Sequence, residues 1–182
     1  MYTYLILIRG INVGGKNIIA MAALKKCLGE LGFSDVTTYI TSGNVILKSS
    51  QGSKDIKAQI EAALPSNFKL DSELIKVLVL SQSQLQAIVH NKPVGFGEQP
   101  EKYHSDVIFL IGVDSAQAMT AFSPREGVDK IWQGDGVIYS QRLGEQRTKS
   151  RLSKIMGTPI YKSMTIRTWN TTLKLLLLMQ SY

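Results

Sequence analysis

The sequence has few of the residues that build covalent or metal cross-links. Cys27 is its single cysteine, and His90 and His104 are its two histidines. One cysteine excludes an intrachain disulfide, and the shortage of sulfur and imidazole ligands excludes the structural zinc frameworks. We therefore expect a fold held together by its apolar core, with Cys27 inside that core. We expect neither a metal nor a cofactor.

Targeting signals and long apolar runs are also missing. The N-terminal residues lack the basic region of a secretory signal. The longest apolar run near the C-terminus, Leu175 to Met179, is far shorter than the ~20 residues that a membrane span requires. The sequence therefore predicts a cytoplasmic protein without a membrane partner.

Acidic side chains are nearly absent from the C-terminal part of the chain. The 182 residues carry 21 basic and 14 acidic side chains, a net charge of +7. Residues 142–182 contain eight of the basic side chains but only one acidic side chain, Glu145, so residues 1–141 are neutral overall. A charge excess confined to one end of a chain favours an anionic partner at that end.

The hydrophobic pattern predicts two copies of one α/β unit. Residues 1–80 read β-α-β-β-α-β, residues 81–104 read as a helix and a Gly/Pro linker, and residues 105–182 repeat β-α-β-β-α. The second copy ends in two basic C-terminal helices, over 146–157 and 168–180. We predict an α+β fold of duplicated ferredoxin-like units with antiparallel sheets and two C-terminal helices.

A loop rich in glycine and asparagine follows the first strand. Gly10, Gly15 and Lys16 satisfy most of the pattern G-x-x-x-x-G-K-[ST], which cradles phosphates. Asn17 stands where the pattern needs a hydroxyl for magnesium, and the hairpins downstream differ from the parallel sheets of phosphate-loop folds. A nucleoside triphosphatase is therefore disfavoured. The alternative is a tight turn whose glycines adopt positive φ.

Polar residues around this loop form a candidate ligand site. Arg9 ends the first strand, Asn12 lies in the loop, and Ser42 and Asn44 lie at the tip of the first hairpin. An arginine in such a place needs carbonyl groups, a carboxylate or an anionic ligand as its partner. The cluster is therefore either a structural hydrogen-bond network or a site for a phosphorylated small molecule. The candidate ligand-binding residues are Arg9, Asn12, Gly14, Gly15, Lys16, Ser42 and Asn44.

The basic end of the chain is a candidate nucleic-acid interface. On a helix over 146–157, Arg147, Arg151 and Lys154 would share one face. That face is either the solvated side of an amphipathic helix or part of a patch that attracts phosphate backbones. The hairpin strands lack the paired aromatic residues that stack bases, so the pattern favours anion binding over base reading. The candidate patch consists of Arg142, Arg147, Lys149, Arg151, Lys154 and Arg167.

Two blocks of sequence resemble a bacterial family known as domain of unknown function 1697. The first is RGINVGGKN followed by TYITSGNV, and the second combines SRLSKI, GTPIY and TIRTWNTTLKL. The resemblance implies a duplicated ferredoxin-like α/β fold and no established activity. The residues that match the family's recurring positions are Arg9, Gly10, Asn12, Gly14, Gly15, Ser42, Gly43, Asn44, Arg167 and Trp169.

Three functional hypotheses follow. The first is an anion-binding protein whose partner is nucleic acid or a nucleotide phosphate. The second is an enzyme that acts on a small anionic metabolite; its catalytic residues are unassigned, because His104, Ser105 and Asp106 are adjacent on a strand and point to alternate faces. The third is a homodimeric scaffold that pairs its sheet edges.

Overall fold

A computed structural model describes residues 1–182, apart from the side chain of Ser72. The chain divides into a first unit, Met1–Gln86 with Leu175–Tyr182, and a second unit, Ala87–Lys174. Helix α3 (Gln82–His90) and helix α5 (Trp169–Gln180) each contain a boundary between the two units. Within the described residues, no helix combines the length and the apolar character needed to cross a membrane.

The first unit has the predicted order of strands and helices. Its sheet has the strand order β2-β3-β1-β4, and the pairings are antiparallel. The elements are β1 (Tyr2–Arg9), α1 (Met21–Glu30), β2 (Ser34–Tyr39), β3 (Asn44–Ser49), α2 (Ser53–Asn67) and β4 (Lys76–Ser81). Side chains alternate along β1, so Ile6 and Ile8 share one face and join the core formed with α1 and α2. Leu5 and Leu7, on the opposite face, are also buried.

Helix α1 shows how the apolar spacing produces this core. Leu24, Cys27 and Leu28 recur at i, i+3 and i+4, which places them on one face of the helix, and all three are buried. Burial raises the pKa of the Cys27 thiol, and the charge of Glu30 raises it further. A thiol in this state is a poor nucleophile, so Cys27 belongs to the core.

The second unit repeats the strand order of the first. Its sheet has the order β6-β7-β5-β8, again with antiparallel pairings. The elements are β5 (Tyr103–Leu110), α4 (Ser115–Met119), β6 (Asp129–Gln133), β7 (Val137–Leu143) and β8 (Met164–Thr168). Ile108, Leu110 and Ile138 cover one face of this sheet and pack with Ala118 and Ile155. The protein is therefore a mixed α+β chain with two four-stranded antiparallel sheets.

The structure corrects the predicted helix over 146–157. That part of the chain forms short 3₁₀ segments, Gly144–Lys149 and Leu152–Gly157, separated by Ser150 in an extended conformation (φ −62°, ψ 143°). Arg147 and Arg151 would lie one helical turn apart, where like charges repel. The backbone N–H of Arg151 and the hydroxyl of Ser150 instead bond to the carboxylate of Asp129.

A second difference is an additional strand. The second half of the sequence was expected to end in helices alone, but β8 pairs antiparallel with β5 before α5 begins. The β-branched residues Thr165, Ile166 and Thr168 favour this extended conformation. Each unit therefore contains four strands.

Candidate functional site

The glycine-rich loop forms a small turn that projects from the first unit. Val13 and Lys16 pair as an isolated β-bridge, and the N–H of Lys16 donates to the carbonyl of Val13 at 3.0 Å. Gly14 and Gly15, at the tip, have φ values of 58° and 74°. A Cβ atom at either glycine would have no neighbour within 4 Å, so the two glycines serve the turn conformation rather than a close backbone approach.

The side chain of Asn12 connects this loop to the first hairpin. Its Nδ2 donates to the carbonyls of Ile19 (3.0 Å) and Thr41 (2.9 Å), and its Oδ1 accepts the N–H of Ile19 at 2.8 Å. Asn12 also has a positive φ of 53°, which asparagine tolerates better than most residues. The loop and the hairpin tip therefore meet, and the Asn12 amide takes part in the contact.

Asn17 makes the corresponding connection at the other end of the loop. Its Nδ2 donates to the carbonyls of Gly10 (2.8 Å) and Asp71 (3.3 Å), and its Oδ1 accepts the N–H of Asp71 at 2.9 Å. In the phosphate-cradling pattern, Asn17 is only the position that lacks a hydroxyl. The structure gives it a positive role as the residue that closes the loop.

Arg9 and Asn44 lie on the sheet face that also carries Leu7. Asn44 pairs with Leu7 in the strand register and is fully buried, and its Nδ2 donates to the Tyr39 carbonyl (3.0 Å) and to the Ser42 hydroxyl (2.9 Å). Arg9 donates from Nη1 to the carbonyl of Leu74 at 3.2 Å. These predicted site residues therefore have hydrogen-bond partners within the first unit.

The strongest concentration of accessible positive charge lies in the second unit. We define the basic segment as residues 144–157. Its four cationic side chains are exposed: Arg147, Lys149, Arg151 and Lys154. Among the described side chains, none of the four forms an ion pair with a carboxylate. Unpaired exposed cations are available to an anionic partner.

Asp129 holds the basic segment at the bend. Its carboxylate accepts the Ser150 hydroxyl at 2.6 Å and the backbone N–H groups of Arg125 (2.9 Å) and Arg151 (2.8 Å). Burial acts to raise the pKa of Asp129, but these hydrogen bonds and the nearby charge of Arg142 outweigh burial and lower it. The ionised carboxylate therefore fixes the backbone that carries the cations.

Arg142 lies in the sheet rather than on the basic segment. In the strand register it stands between His104 on β5 and Asp129 on β6, so the three side chains share one face. Burial raises the pKa of neighbouring Asp106, an effect that the charges of His104 and Arg142 oppose. The charge of Arg142 thus acts to lower the pKa of both Asp106 and Asp129 within the second unit.

Arg167 is another residue of the predicted patch that lies in the sheet, on strand β8. It is 7% exposed, and its Nη1 donates at 2.8 Å both to the Thr165 hydroxyl and to the Ile166 carbonyl. Burial lowers its pKa to about 10, so it remains charged at neutral pH. The structure therefore brings Arg147, Lys149, Arg151 and Lys154 together on one segment but places Arg142 and Arg167 elsewhere in the unit.

The histidine and acidic side chains that the structure describes are not grouped as a metal site requires. In the described part of the chain, no group of three or more His, Cys, Asp or Glu side chains is placed to hold a metal ion. His104 instead pairs with Asp106, with distances of 3.1 and 3.0 Å from Nε2 to the carboxylate oxygens.

Comparison with known proteins identifies the family to which the chain belongs. The chain is a member of the family described as protein of unknown function (DUF1697), whose model matches residues 1–139. It is similar to the solved structure of the conserved bacterial protein SP0830 from Streptococcus pneumoniae. The identity is 25%, each chain is covered to 98%, and the TM-score is 0.83. No curated protein matches the chain. The family resemblance of the sequence is confirmed.

Proposed function

We propose that the protein binds nucleic acid through the phosphate backbone, with the basic segment as the contact surface. The observation that carries this proposal is the set of exposed, unpaired cations at Arg147, Lys149, Arg151 and Lys154. A phosphate backbone matches such a surface because each neutralised phosphate releases a condensed counterion.

The anchoring by Asp129 supports the same proposal. Long cationic side chains lose conformational entropy when they bind, and a rigid backbone reduces the further cost of ordering the segment. The two hydrogen bonds from Ser150 and Arg151 to the Asp129 carboxylate supply that rigidity. Binding through four cations is expected to be weak and insensitive to base sequence, since phosphate contacts carry no sequence information.

The glycine-rich loop is not part of this proposal. A ligand site there would need polar groups aimed at a ligand, whereas the Asn12 amide already makes three hydrogen bonds to the backbone. Gly14 and Gly15 lie at an exposed tip rather than against a helix N-terminus, because α1 begins only at Met21.

We also propose that both units are ferredoxin-like. The support is the β-α-β-β-α-β order of the first unit together with its strand order β2-β3-β1-β4, which the second unit repeats as β6-β7-β5-β8. In the second unit, 3₁₀ segments occupy the place of the second helix.

The test is the binding of a fluorescein-labelled single-stranded RNA, followed by fluorescence anisotropy as salt is raised. Neutralising up to four phosphates predicts a slope of about −3 in a plot of log affinity against log salt concentration. The triple variant Arg147→Glu, Arg151→Glu, Lys154→Glu is expected to abolish binding at low ionic strength, because it replaces attraction with repulsion.

A matched control separates this surface from net charge. The variant Lys25→Glu, Lys54→Glu, Lys69→Glu makes the same change in net charge at exposed positions of the first unit. It is expected to retain most of the affinity. Equal losses in the two variants, or no salt-dependent binding by the wild-type protein, would refute the proposal.

A further inference from the structure

A pocket of about 240 Å³ lies on the sheet of the second unit, and its lining residues do not include the basic segment. Its lining includes Tyr103, Val128, Lys130, Gln141 and Leu143. The strand register places Tyr103 opposite Leu143 and places Gln141 opposite Lys130. Directly paired residues project to the same face of a sheet, so these side chains surround one patch of that face.

The Gln141 side chain is the polar group that indicates a ligand site. It is only 3% exposed, and its Oε1 accepts the N–H of Gly97 (3.1 Å) and the hydroxyl of Ser105 (2.8 Å). The backbone N–H of Gly97 can only donate, so it fixes which end of the amide carries the oxygen.

The Nε2 of Gln141 has no partner among the described residues. The hydrogen bonds of Gln141 engage only Oε1, which leaves both amide hydrogens of Nε2 unused. In the described part of the chain, Nε of Arg142 is the sole side-chain polar atom that is both sealed from solvent and unpartnered. Nε2 of Gln141 therefore keeps some contact with solvent, and Gln141 is one of the residues that line the pocket. An acceptor on a ligand can take the place of water at this donor.

Two lysines lie in or next to the pocket lining. Lys130 is exposed and lies across the register from Gln141, and Nζ of Lys102 stands 5.2 Å from the centroid of the Tyr103 ring. The acidic residue in the lining is Asp129. Its side chain projects from the opposite face of the sheet, where its carboxylate accepts hydrogen bonds from Ser150 and Arg151 of the basic segment.

The remaining lining includes apolar side chains. Val128 and Leu143 provide aliphatic contacts, and Tyr103 provides an aromatic ring. The volume equals that of about eight liquid waters, which is sufficient for one six-membered ring with a charged substituent. Small-molecule sites commonly combine such apolar walls with a few oriented polar groups.

From this arrangement we infer that the second unit has a binding site for a small aromatic anion, that is, a planar ring that carries a carboxylate or a phosphate. The ring packs on Tyr103, Val128 and Leu143. The anionic oxygens accept hydrogen bonds from Nε2 of Gln141 and from Nζ of Lys130. This inference stands independently of nucleic-acid binding, because no residue of the basic segment takes part.

The test uses benzoate and phenyl phosphate as probes, with benzyl alcohol as the neutral ring and inorganic phosphate as the anion without a ring. Binding to the full chain and to each variant is followed by NMR, through the shifts of the backbone amides of Lys130, residue 141 and Leu143, which line the pocket. We expect millimolar affinity for the aromatic anions and at least about tenfold weaker binding of benzyl alcohol and of inorganic phosphate, since each lacks one of the two interactions.

The decisive variant is Gln141→Glu. It retains an oxygen for Gly97 and Ser105 but replaces the amide donor with a second, negatively charged oxygen, so it is expected to reduce benzoate affinity at least about tenfold. Lys130→Gln is expected to weaken binding severalfold, whereas Lys69→Gln, at an exposed position of the first unit, is the control without effect.

Each outcome of this experiment bears on the inference. A Gln141→Glu protein that keeps its amide spectrum and still binds benzoate as tightly as wild type would overturn it. If Gln141→Glu disturbs the fold, Lys130→Gln and the preference for benzoate over benzyl alcohol decide instead. Equal binding of these two probes would mean that the pocket is apolar only and would refute the anion site. No shift at about 20 mM probe, a concentration well above the expected millimolar Kd, would exclude the site.

Discussion

Replacing Asp129 tests how the basic segment is held in place. The Asp129→Ala protein loses an acceptor for the Ser150 hydroxyl and for the N–H groups of Arg125 and Arg151. Hydrogen bonds to a charged group contribute ~1.5–3 kcal/mol each, but neighbouring bonds are not additive. We therefore expect the free energy of unfolding to fall by about 3–5 kcal/mol.

The isosteric Asp129→Asn protein separates charge from geometry. Its oxygen can still accept the N–H groups of Arg125 and Arg151, and Ser150 can reorient to accept from the new amide. We expect a smaller loss, about 1–2 kcal/mol. Removing a negative charge should by itself increase affinity for RNA, whereas loosening the segment should decrease it. Weaker RNA binding by Asp129→Asn would therefore show that the fixed backbone matters.

The assay is equilibrium urea unfolding, combined with thermal unfolding. A chain of this length loses ~2–4 °C in Tm for each kcal/mol, so Asp129→Ala should lower Tm by about 6–20 °C. The matched control is Glu126→Ala, at an exposed carboxylate close in sequence, which should change stability by less than about 0.5 kcal/mol. A loss below about 1 kcal/mol for Asp129→Ala would refute the anchoring role.

The anchor also has a pH dependence of known sign. Because the folded pKa of Asp129 is lowered, the unfolded chain takes up a proton at a higher pH than the folded chain does. The stabilisation is therefore complete above the unfolded pKa of about 4 and is lost as the pH falls through the lower folded value. Asp129→Asn should remove this part of the acid dependence of unfolding.

The other predictions concern single positions. Ile40 is a β-branched residue in the left-handed region, with φ at 50°, and its side chain is 51% exposed, so burial does not compensate for the strain. Ile40→Asn should therefore raise the free energy of unfolding in urea titrations by about 1 kcal/mol. An unchanged or lower stability would contradict this reasoning. Gly43→Ala should cost more than about 2 kcal/mol, since its Cβ would lie 2.6 Å from the Ile8 carbonyl oxygen, whereas Gly14→Ala, in open space, should cost about 1 kcal/mol. Burial raises the pKa of Tyr139 to about 12, so the unfolded chain ionises first and stability should fall between pH 10 and 12; spectrophotometric titration against Tyr139→Phe checks this.

Much of the fold could be predicted because its signals are local. The run of aromatic and branched residues in Tyr2–Arg9, the i, i+3, i+4 spacing in α1 and the Gly-containing turns each depend on a few neighbouring residues. The break at Ser150 could not be predicted in this way, because its cause, Asp129, is 21 residues distant in the sequence. A helical spacing of cations predicts a helix correctly only where no distant side chain, such as Asp129, accepts the backbone N–H groups that the helix would use.

The candidate sites show the same division between local and remote causes. Sequence reasoning left open whether the Asn12 cluster is structural, and the hydrogen bonds to Ile19 and Thr41 show that the side chain connects parts of the first unit. The pocket around Gln141 was missed. A signal for it was present, because on β7 Gln141 interrupts the apolar face formed by Val137, Tyr139 and Leu143, and a polar residue on such a face requires a partner.

The location of the basic residues also determines how strongly salt should affect binding. Six cations formed the predicted patch, but Arg142 is half-buried on strand β7 and Arg167 is buried on strand β8. If all six contacted single-stranded RNA, the slope of log affinity against log salt concentration would be about −4, whereas the four on the basic segment predict about −3. A slope near −4 would mean that cations outside this segment also reach the phosphates. A slope near −3 that disappears in the Arg147, Arg151 and Lys154 variant would assign the contact to the basic segment, because burial rather than net charge decides which cations can meet a partner.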